Sequence, residues 1–274
     1  LDILTTIASM DVASSGIKYL KKANVDIKIG LDADMEHSVY TLNENSFGIN
    51  GLILNVDGRV SLSGEDKIDM NLRFDTDETD FKSILSLVPA VYLTDFENVQ
   101  TTGTFALSGY ANGTYFEEEL PSVGLELRVN DAMFKYPDLP KSAKNIKIDL
   151  NVFFDGVQQD NTTVDLNIFH VEIGDNPIDM TMNIRTPMSD PNVNATLSAM
   201  IDFATFNEVL PLENTKISGT LKSNIDVMGS MSTIEEEKYE EFQAKGEFQL
   251  NDFVYDGSDF EQGIAIPVAL LKLS

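Results

Sequence analysis

Apolar and polar residues alternate along most of this chain, and this alternation constrains the fold more than any other feature. The segment 146–154 reads IKIDLNVFF, which places its isoleucines, Leu150 and Val152 on one side. The segments 25–33 and 68–74 have the same two-residue period. Such a period is typical of strands with one buried face, and clean alternation favours antiparallel over buried parallel strands. We therefore predict a mainly β fold, built from antiparallel sheet with a one-sided apolar face.

Helical patterns are scarce in the sequence. We predict a helical lead-in over residues 1–24, from the segment SSGIKYLKKA, which has a serine before its apolar spacing. Short helices are also predicted within 77–89 and 203–211, each ending at a proline. These patterns give one or two short helices in each half of the chain.

Four short landmarks recur in the same order and indicate that the chain is built twice from one unit. The offsets within the pairs are 119, 110, 116 and 121 residues, by subtraction, and the pairs are Ile27 with Ile146, Ile68 with Ile178, Gly103 with Gly219, and Asn130 with Asn251. We predict β-repeat units at 25–137 and 144–256, followed at 257–274 by the start of a further strand segment. Asn130 and Asp131 are interpreted as residues of a turn that closes the first unit.

The composition excludes several classes of function. The chain has 45 acidic and 19 basic residues, for a net charge of −26, so we expect it to repel nucleic acid. It has no cysteine, and its two histidines, His37 and His170, stand in no metal-binding or catalytic motif. No phosphate-binding glycine loop and no nucleophile elbow are present. We therefore expect no catalytic site, no metal site and no cofactor, and predict that the protein is not an enzyme.

Several segments carry a resemblance to a known family. They are the unit endings GLELRVNDAMFKYPDLP and GEFQLNDFVYDGSDF, and the strand-turn-strand blocks GINGLILNVDGRVSL, TTGTFALSGYANG and ISGTLKSNIDVMGS. In these segments the chain resembles the AsmA family of bacterial envelope proteins, particularly its Bacteroidetes members, which are related to TamB-like and bridge-type lipid transfer proteins. The first ending departs from the second, because Phe134 is displaced relative to Phe253.

The resemblance implies a fold, a location and a ligand. The implied fold is an elongated, curved sheet whose apolar face forms a groove. The implied location is the periplasm, with a tether to the inner membrane through a segment outside this chain. A phospholipid or another acyl lipid is the implied partner, in outer-membrane assembly or homeostasis, alongside envelope proteins that the resemblance does not specify.

Alternation selects the residues that would line such a groove. The twelve candidates are Ile68, Met70, Leu72, Phe74, Ile146, Ile148, Leu150, Val152, Ile178, Met180, Met182 and Ile184. The same alternation also fits plain core. In that alternative the chain is an extracytoplasmic β-sandwich, an adhesin or scaffold module without a lipid ligand, in which a second sheet covers the apolar face.

Overall fold

The chain folds into one large antiparallel sheet that does not close on itself. The computed structural model describes residues 1–14, 17–64, 66–85, 99–210, 212, 215–238, 240–257 and 260–274. The strands are β1 Asp2–Ser14, β2 Ile17–Asp34, β3 Val39–Ile49, β4 Leu52–Leu62, β5 Ile68–Thr76, β6 Thr79–Asp80, β7 Gln100–Tyr115, β8 Ser122–Lys135, β9 Ala143–Phe154, β10 Thr163–Ile173, β11 Asn176–Arg185, β12 Asn192–Asp202, β13 Lys216–Ser230, β14 Gln243–Gly257 and β15 Phe260–Leu273. The predicted fold class is confirmed.

Helical elements are few and short. They are α1 Phe81–Leu85, α2 Phe206–Val209 and α3 Met231–Glu235, with 3-10 turns at Gln159–Asn161 and Phe203–Thr205. The helices predicted within 77–89 and 203–211 are confirmed as α1 and α2, although residues 86–89 and Pro211 lie outside the described residues. No sequence pattern predicted α3.

Neighbouring strands in the sheet are neighbours in sequence, apart from the two-residue β6, which pairs with β7 beside the path of the sheet. The chain divides into two compact units. One comprises Leu1–Phe96, Thr104–Arg128 and Asn151–Thr162, and the other comprises Glu97–Gly103, Val129–Leu150 and Thr163–Ser274. Antiparallel pairing explains the order, because an antiparallel partner needs no crossover connection.

The helical lead-in predicted over residues 1–24 is wrong. β1 and β2 form a hairpin whose register runs from Asp2 opposite Gly30 to Ser14 opposite Ile17. Here Ile3 lies opposite Ile29, and Ile7 lies opposite Val25. These cross-strand pairs of β-branched residues stabilise a sheet, whereas an isolated helix of that length is marginal in water. The strand predicted within 257–274 is confirmed as β15.

The two predicted repeat units share most of their elements in the same order, although β6 occurs only in the first and α3 only in the second. In the first, β2 to β5 precede α1 and then β7 and β8; in the second, β9 to β12 precede α2 and then β13 and β14. β10, β11 and β12 each begin 124 residues after β3, β4 and β5 respectively, by subtraction of their first residue numbers. This agreement supports the duplication, which stays a prediction.

One of the four landmark pairs is wrong in detail. Ile68 begins β5, the strand before α1, whereas Ile178 lies in β11, two strands before α2. The strand that corresponds to β5 is β12. The mismatch arises because a two-residue period makes any amphipathic strand resemble any other.

The Asn-Asp landmark marks a bulge within a strand and not a turn. Asp131 and Asp252 adopt left-handed φ angles of 45° and 46° inside β8 and β14. Gly219 lies opposite this point in β13, where the register with β14 shifts. A Cβ atom on Gly219 would lie 2.6 Å from the Cα atom of Phe253, so only glycine leaves room for the extra residue. A Cβ atom on Gly103 of β7 would likewise overlap the Cα atom of Ala132 in β8.

Candidate functional site

The second compact unit has one continuous apolar side, formed by alternate residues of adjacent strands. Register sets Met180 opposite both Phe169 and Leu197, and Leu197 opposite Ile225. We call this surface the second apolar face; it comprises the even-numbered residues 178–184 of β11, the odd-numbered residues 193–201 of β12, the odd-numbered residues 221–227 of β13 and the even-numbered residues 244–250 of β14. Cross-strand partners point to the same side of a sheet, so these residues form one surface.

The first compact unit has an apolar side built in the same way. Val60 lies opposite Met70, and Val56 lies opposite Phe74. We call this surface the first apolar face; it comprises the even-numbered residues 54–62 of β4, the even-numbered residues 68–76 of β5 and the odd-numbered residues 109–115 of β7. The residues between them are polar: Asp57 lies opposite Arg73, and Asp69 lies opposite Thr114.

Most side chains on these two faces are half-buried and not buried. On the second apolar face the most enclosed aliphatic side chains are Ala199, Ile201 and Leu250, which are 6%, 8% and 9% exposed. Among the described residues, the only large side chain below 2% exposure is Val209, in α2 and outside both faces. The faces therefore gain their cover chiefly from neighbours within the sheet.

In the part of the chain that the structure describes, all fifteen strands belong to one sheet, so no separate second sheet is available to cover either face. The adhesin or scaffold role of the alternative interpretation stays a prediction. The chain exposes 16731 Å² of surface, whereas a folded monomer of 30.3 kDa ordinarily exposes about 12,000 Å². Side chains that are half-buried instead of buried contribute to this excess.

The short helical segment after β12, residues 203–209, packs against β14. The ring of Phe203 packs against Phe253 of β14 at a centroid distance of 5.1 Å in an edge-to-face arrangement, and against Phe206 at 5.9 Å. Asp202 caps this segment by accepting a hydrogen bond from the Ala204 backbone N–H at 3.0 Å. Aromatic contact and cap together fix the segment beside the end of β14.

The structure places the twelve predicted groove residues in three groups. Ile68, Met70, Leu72 and Phe74 lie on the first apolar face, and Ile178, Met180, Met182 and Ile184 lie on the second. The remaining four alternate along β9, where Ile146 is buried and the other three are half-buried. Ile146, Ile148 and Leu150 belong to the second unit and Val152 to the first.

Further residues of the same faces were missed by the prediction. Leu197, Ile225 and Phe248 lie on the second apolar face, and Val56 and Val60 lie on the first. The alternation of their strands was a sufficient signal, since each occupies the apolar position of a two-residue period.

The opposite side of the second unit is a network of polar and charged pairs. The His170 Nδ1 atom lies 2.6 Å from the Asp179 carboxylate, and Arg185 pairs with Asp165 at 2.6 Å. Hydrogen bonds from Lys144 to Asp175 and Glu172 raise the pKa of the lysine. These pairs span adjacent strands, which identifies His170 as a hydrogen-bonded strand residue.

Hydrogen bonds from polar side chains hold one carboxylate on the polar side of each unit. The side-chain amide of Asn145 donates to Glu172 at 2.8 Å and lowers the pKa of that glutamate. In the first unit, the hydroxyl groups of Thr114 and Ser63 donate to Asp69 at 2.6 and 2.7 Å and lower its pKa. Both carboxylates are thus stabilised in their charged form.

Neither a metal-binding cluster nor a membrane-spanning helix occurs among the described residues. They contain no group of three or more histidine, aspartate or glutamate side chains arranged to hold a metal ion. None of the helices they form has the length and apolar character needed to span a membrane.

No family model matches this chain, and no curated protein or solved structure is significantly similar to it.

Proposed function

We propose that the chain is a non-enzymatic lipid-binding domain of an AsmA-like envelope protein, and that acyl chains lie on its apolar faces. The observation that carries this proposal is that the apolar side of each unit has no covering sheet among the described residues. Contiguous apolar surface of this kind in a soluble domain marks a site for another apolar partner.

The energetics favour an acyl chain as that cover. Each half-exposed aliphatic side chain forgoes part of the roughly 1.5–3 kcal/mol that full burial contributes. An acyl chain gains about 0.8 kcal/mol for each methylene group that it buries, so ten buried methylenes contribute about 8 kcal/mol before the entropic cost of binding. A flexible hydrocarbon also adapts to the mixed Met, Leu, Ile and Phe surface of the second apolar face.

The proposal extends to location and partners. We place the protein in the periplasm, tethered to the inner membrane through a segment outside this chain, where it binds phospholipid or another acyl lipid during outer-membrane assembly or homeostasis. The net charge of −26 supports an uncharged, apolar mode of recognition, because an anionic membrane surface would repel most of the molecule. The adhesin or scaffold alternative predicts two packed sheets, whereas the described strands form one sheet, so we favour the lipid-binding proposal.

Lipid extraction tests the proposal directly. The protein is purified without detergent from bacterial membranes and cytosol. We expect it to retain phospholipid, which native mass spectrometry detects as a bound mass. After delipidation it should take up a fluorescent fatty acid, and unlabelled phospholipid should compete. Serum albumin and a compact β-sandwich protein serve as positive and negative controls. Recovery of no acyl lipid, together with no uptake of the fluorescent fatty acid, would contradict the proposed function.

A further inference from the structure

A concavity of about 580 Å³ lies on the polar side of the first unit. It forms where the register of β3 with β4 shifts between Leu42 and Asn45. Its lining includes Arg59 and Arg73, together with the side chains of Thr41, Asn71, Asp57 and Glu44. The bulge separates β3 locally from the regular ladder and leaves a recess beside two cations.

The two arginines differ from the others in the chain. Of four arginines in the sequence, Arg128 pairs with Glu126 at 3.6 Å and Arg185 pairs with Asp165 at 2.6 Å. Arg59 and Arg73 form no ion pair within 4.0 Å with any residue that the structure describes. Acidic residues outnumber basic ones 45 to 19, so two neighbouring arginines that form no ion pair within 4.0 Å with the described residues are unexpected.

Strand register brings the two guanidinium groups to the same recess. Arg59 of β4 lies opposite Asn71, and Arg73 of β5 lies opposite Asp57. The arginines are therefore diagonal neighbours on one side of the sheet, at a separation of about 7–8 Å between their backbones. Long side chains at that separation can converge on one ligand.

The carboxylates of the recess already have partners. Glu44 pairs with Lys28 at 2.9 Å, and Asp57 accepts a hydrogen bond from the Glu44 backbone N–H at 2.7 Å. Asp34 lies further away; its pKa is lowered mainly by hydrogen bonds from His37, with a smaller contribution from Arg59. With the charge of Glu44 balanced by Lys28, the recess has two guanidinium groups against the one carboxylate of Asp57.

We propose that Arg59 and Arg73 bind a phosphate-bearing anion in this recess, with the hydroxyl of Thr41 and the amide of Asn71 as further donors. The planar guanidinium group presents paired N–H donors that match phosphate oxygens. This site is separate from acyl-chain binding, because Arg59 and Val60 alternate and so point to opposite sides of the sheet. The inference does not rest on the proposed function.

The second unit contains a comparable recess without cations. The register of β10 with β11 shifts between Leu166 and Phe169, 124 residues after the bulge of β3 by subtraction. The recess there has a volume of about 420 Å³, and its lining contains Asp179 and Asp226 but no lysine or arginine. The bulge therefore forms a recess with cationic side chains in the first unit and a recess with acidic side chains in the second. We expect the second recess not to bind anions, so it is an internal control.

Calorimetric titration with inorganic phosphate at low ionic strength tests the site in the intact chain. We expect Arg59→Gln and Arg73→Gln each to weaken phosphate binding by about tenfold, because each removes charge-assisted hydrogen bonds. Arg59→Lys should restore only part of the affinity, since it retains the charge without the paired donors. Arg128→Gln removes the same charge elsewhere in the first unit and should leave binding unchanged.

A second arm distinguishes free phosphate from a lipid headgroup as the source of the anion. Flotation is measured with phosphatidylglycerol vesicles and with phosphatidylcholine vesicles, for the wild-type chain and for Arg59→Gln/Arg73→Gln. Flotation with phosphatidylglycerol that the double variant loses assigns the site to a headgroup; phosphate binding without flotation assigns it to a free anion. The proposal is overturned if phosphate and vesicles both fail to bind, or if the Arg59 and Arg73 variants bind as Arg128→Gln does. Acyl-lipid retention is measured in parallel and should be unaffected.

Discussion

Met180→Asp is expected to abolish acyl-chain binding by the second apolar face. Met180 lies on that face opposite Leu197 of β12, and its other cross-strand partner is Phe169 of β10. A carboxylate there would have to lie beneath the acyl chain without a hydrogen-bond partner, which costs several kcal/mol. We therefore expect the affinity for a fluorescent fatty acid to fall by at least about 100-fold.

The matched control is the next residue along β11. Thr181 points to the polar side, where its hydroxyl group lies 2.8 Å from that of Thr196. Thr181→Asp adds the same charge to the same strand, and we expect fatty-acid affinity to stay within about twofold of wild type, since the new carboxylate is solvated. Equal losses in the two variants would contradict a face-specific site. Loss of the folded circular dichroism spectrum in Met180→Asp alone would identify the face as plain core.

Gly246→Ala is expected to destabilise the second unit by about 3 kcal/mol or more. Gly246 has a left-handed φ of 122° in β14, and a Cβ atom there would overlap the carbonyl oxygen of Asn224 in β13. The added methyl group would force two paired strands apart in the interior of the sheet. Urea denaturation followed by circular dichroism measures the resulting fall in the free energy of unfolding.

Gly48→Ala in β3 provides the control for that substitution. Its Cβ atom would meet the Cβ atom of Asp26 at 3.4 Å, an ordinary contact, and Gly48 is not among the residues with positive φ. We expect a change below about 1 kcal/mol, because alanine also restricts the unfolded chain. A Gly246→Ala variant as stable as Gly48→Ala would mean that β13 and β14 can separate at this point without loss.

The sequence was a good guide to which side of each strand is apolar and a poor guide to what covers it. The alternation of residues 178–184 indicated which side of β11 is apolar, because successive strand residues must point to opposite sides. The same pattern is compatible with a second sheet, an acyl chain or solvent above it. The absence of a second sheet became visible only once the strand order of the described residues was known.

The sequence did not predict the bulges or the first hairpin, for a different reason. Asp131 and Asp252 look like turn residues because aspartate tolerates left-handed φ, and nothing local distinguishes a turn from a bulge inside a strand. Residues 14–23 have helical spacing, but pairing with β1 overrides that weak preference. The recess with Arg59 and Arg73 also depends on register, since the two residues are 14 apart in sequence by subtraction.

The sparse enclosure of side chains, with Val209 alone among the large described residues below 2% exposure, has a calorimetric consequence. The heat capacity change of unfolding grows with the apolar area that unfolding newly exposes, and compact proteins give about 12–15 cal/mol/K per residue. We expect a lower value for the lipid-free chain, measured by differential scanning calorimetry, and so a flatter dependence of stability on temperature. Acyl chains that bind the apolar faces bury apolar surface, so we expect binding to have a negative heat capacity change.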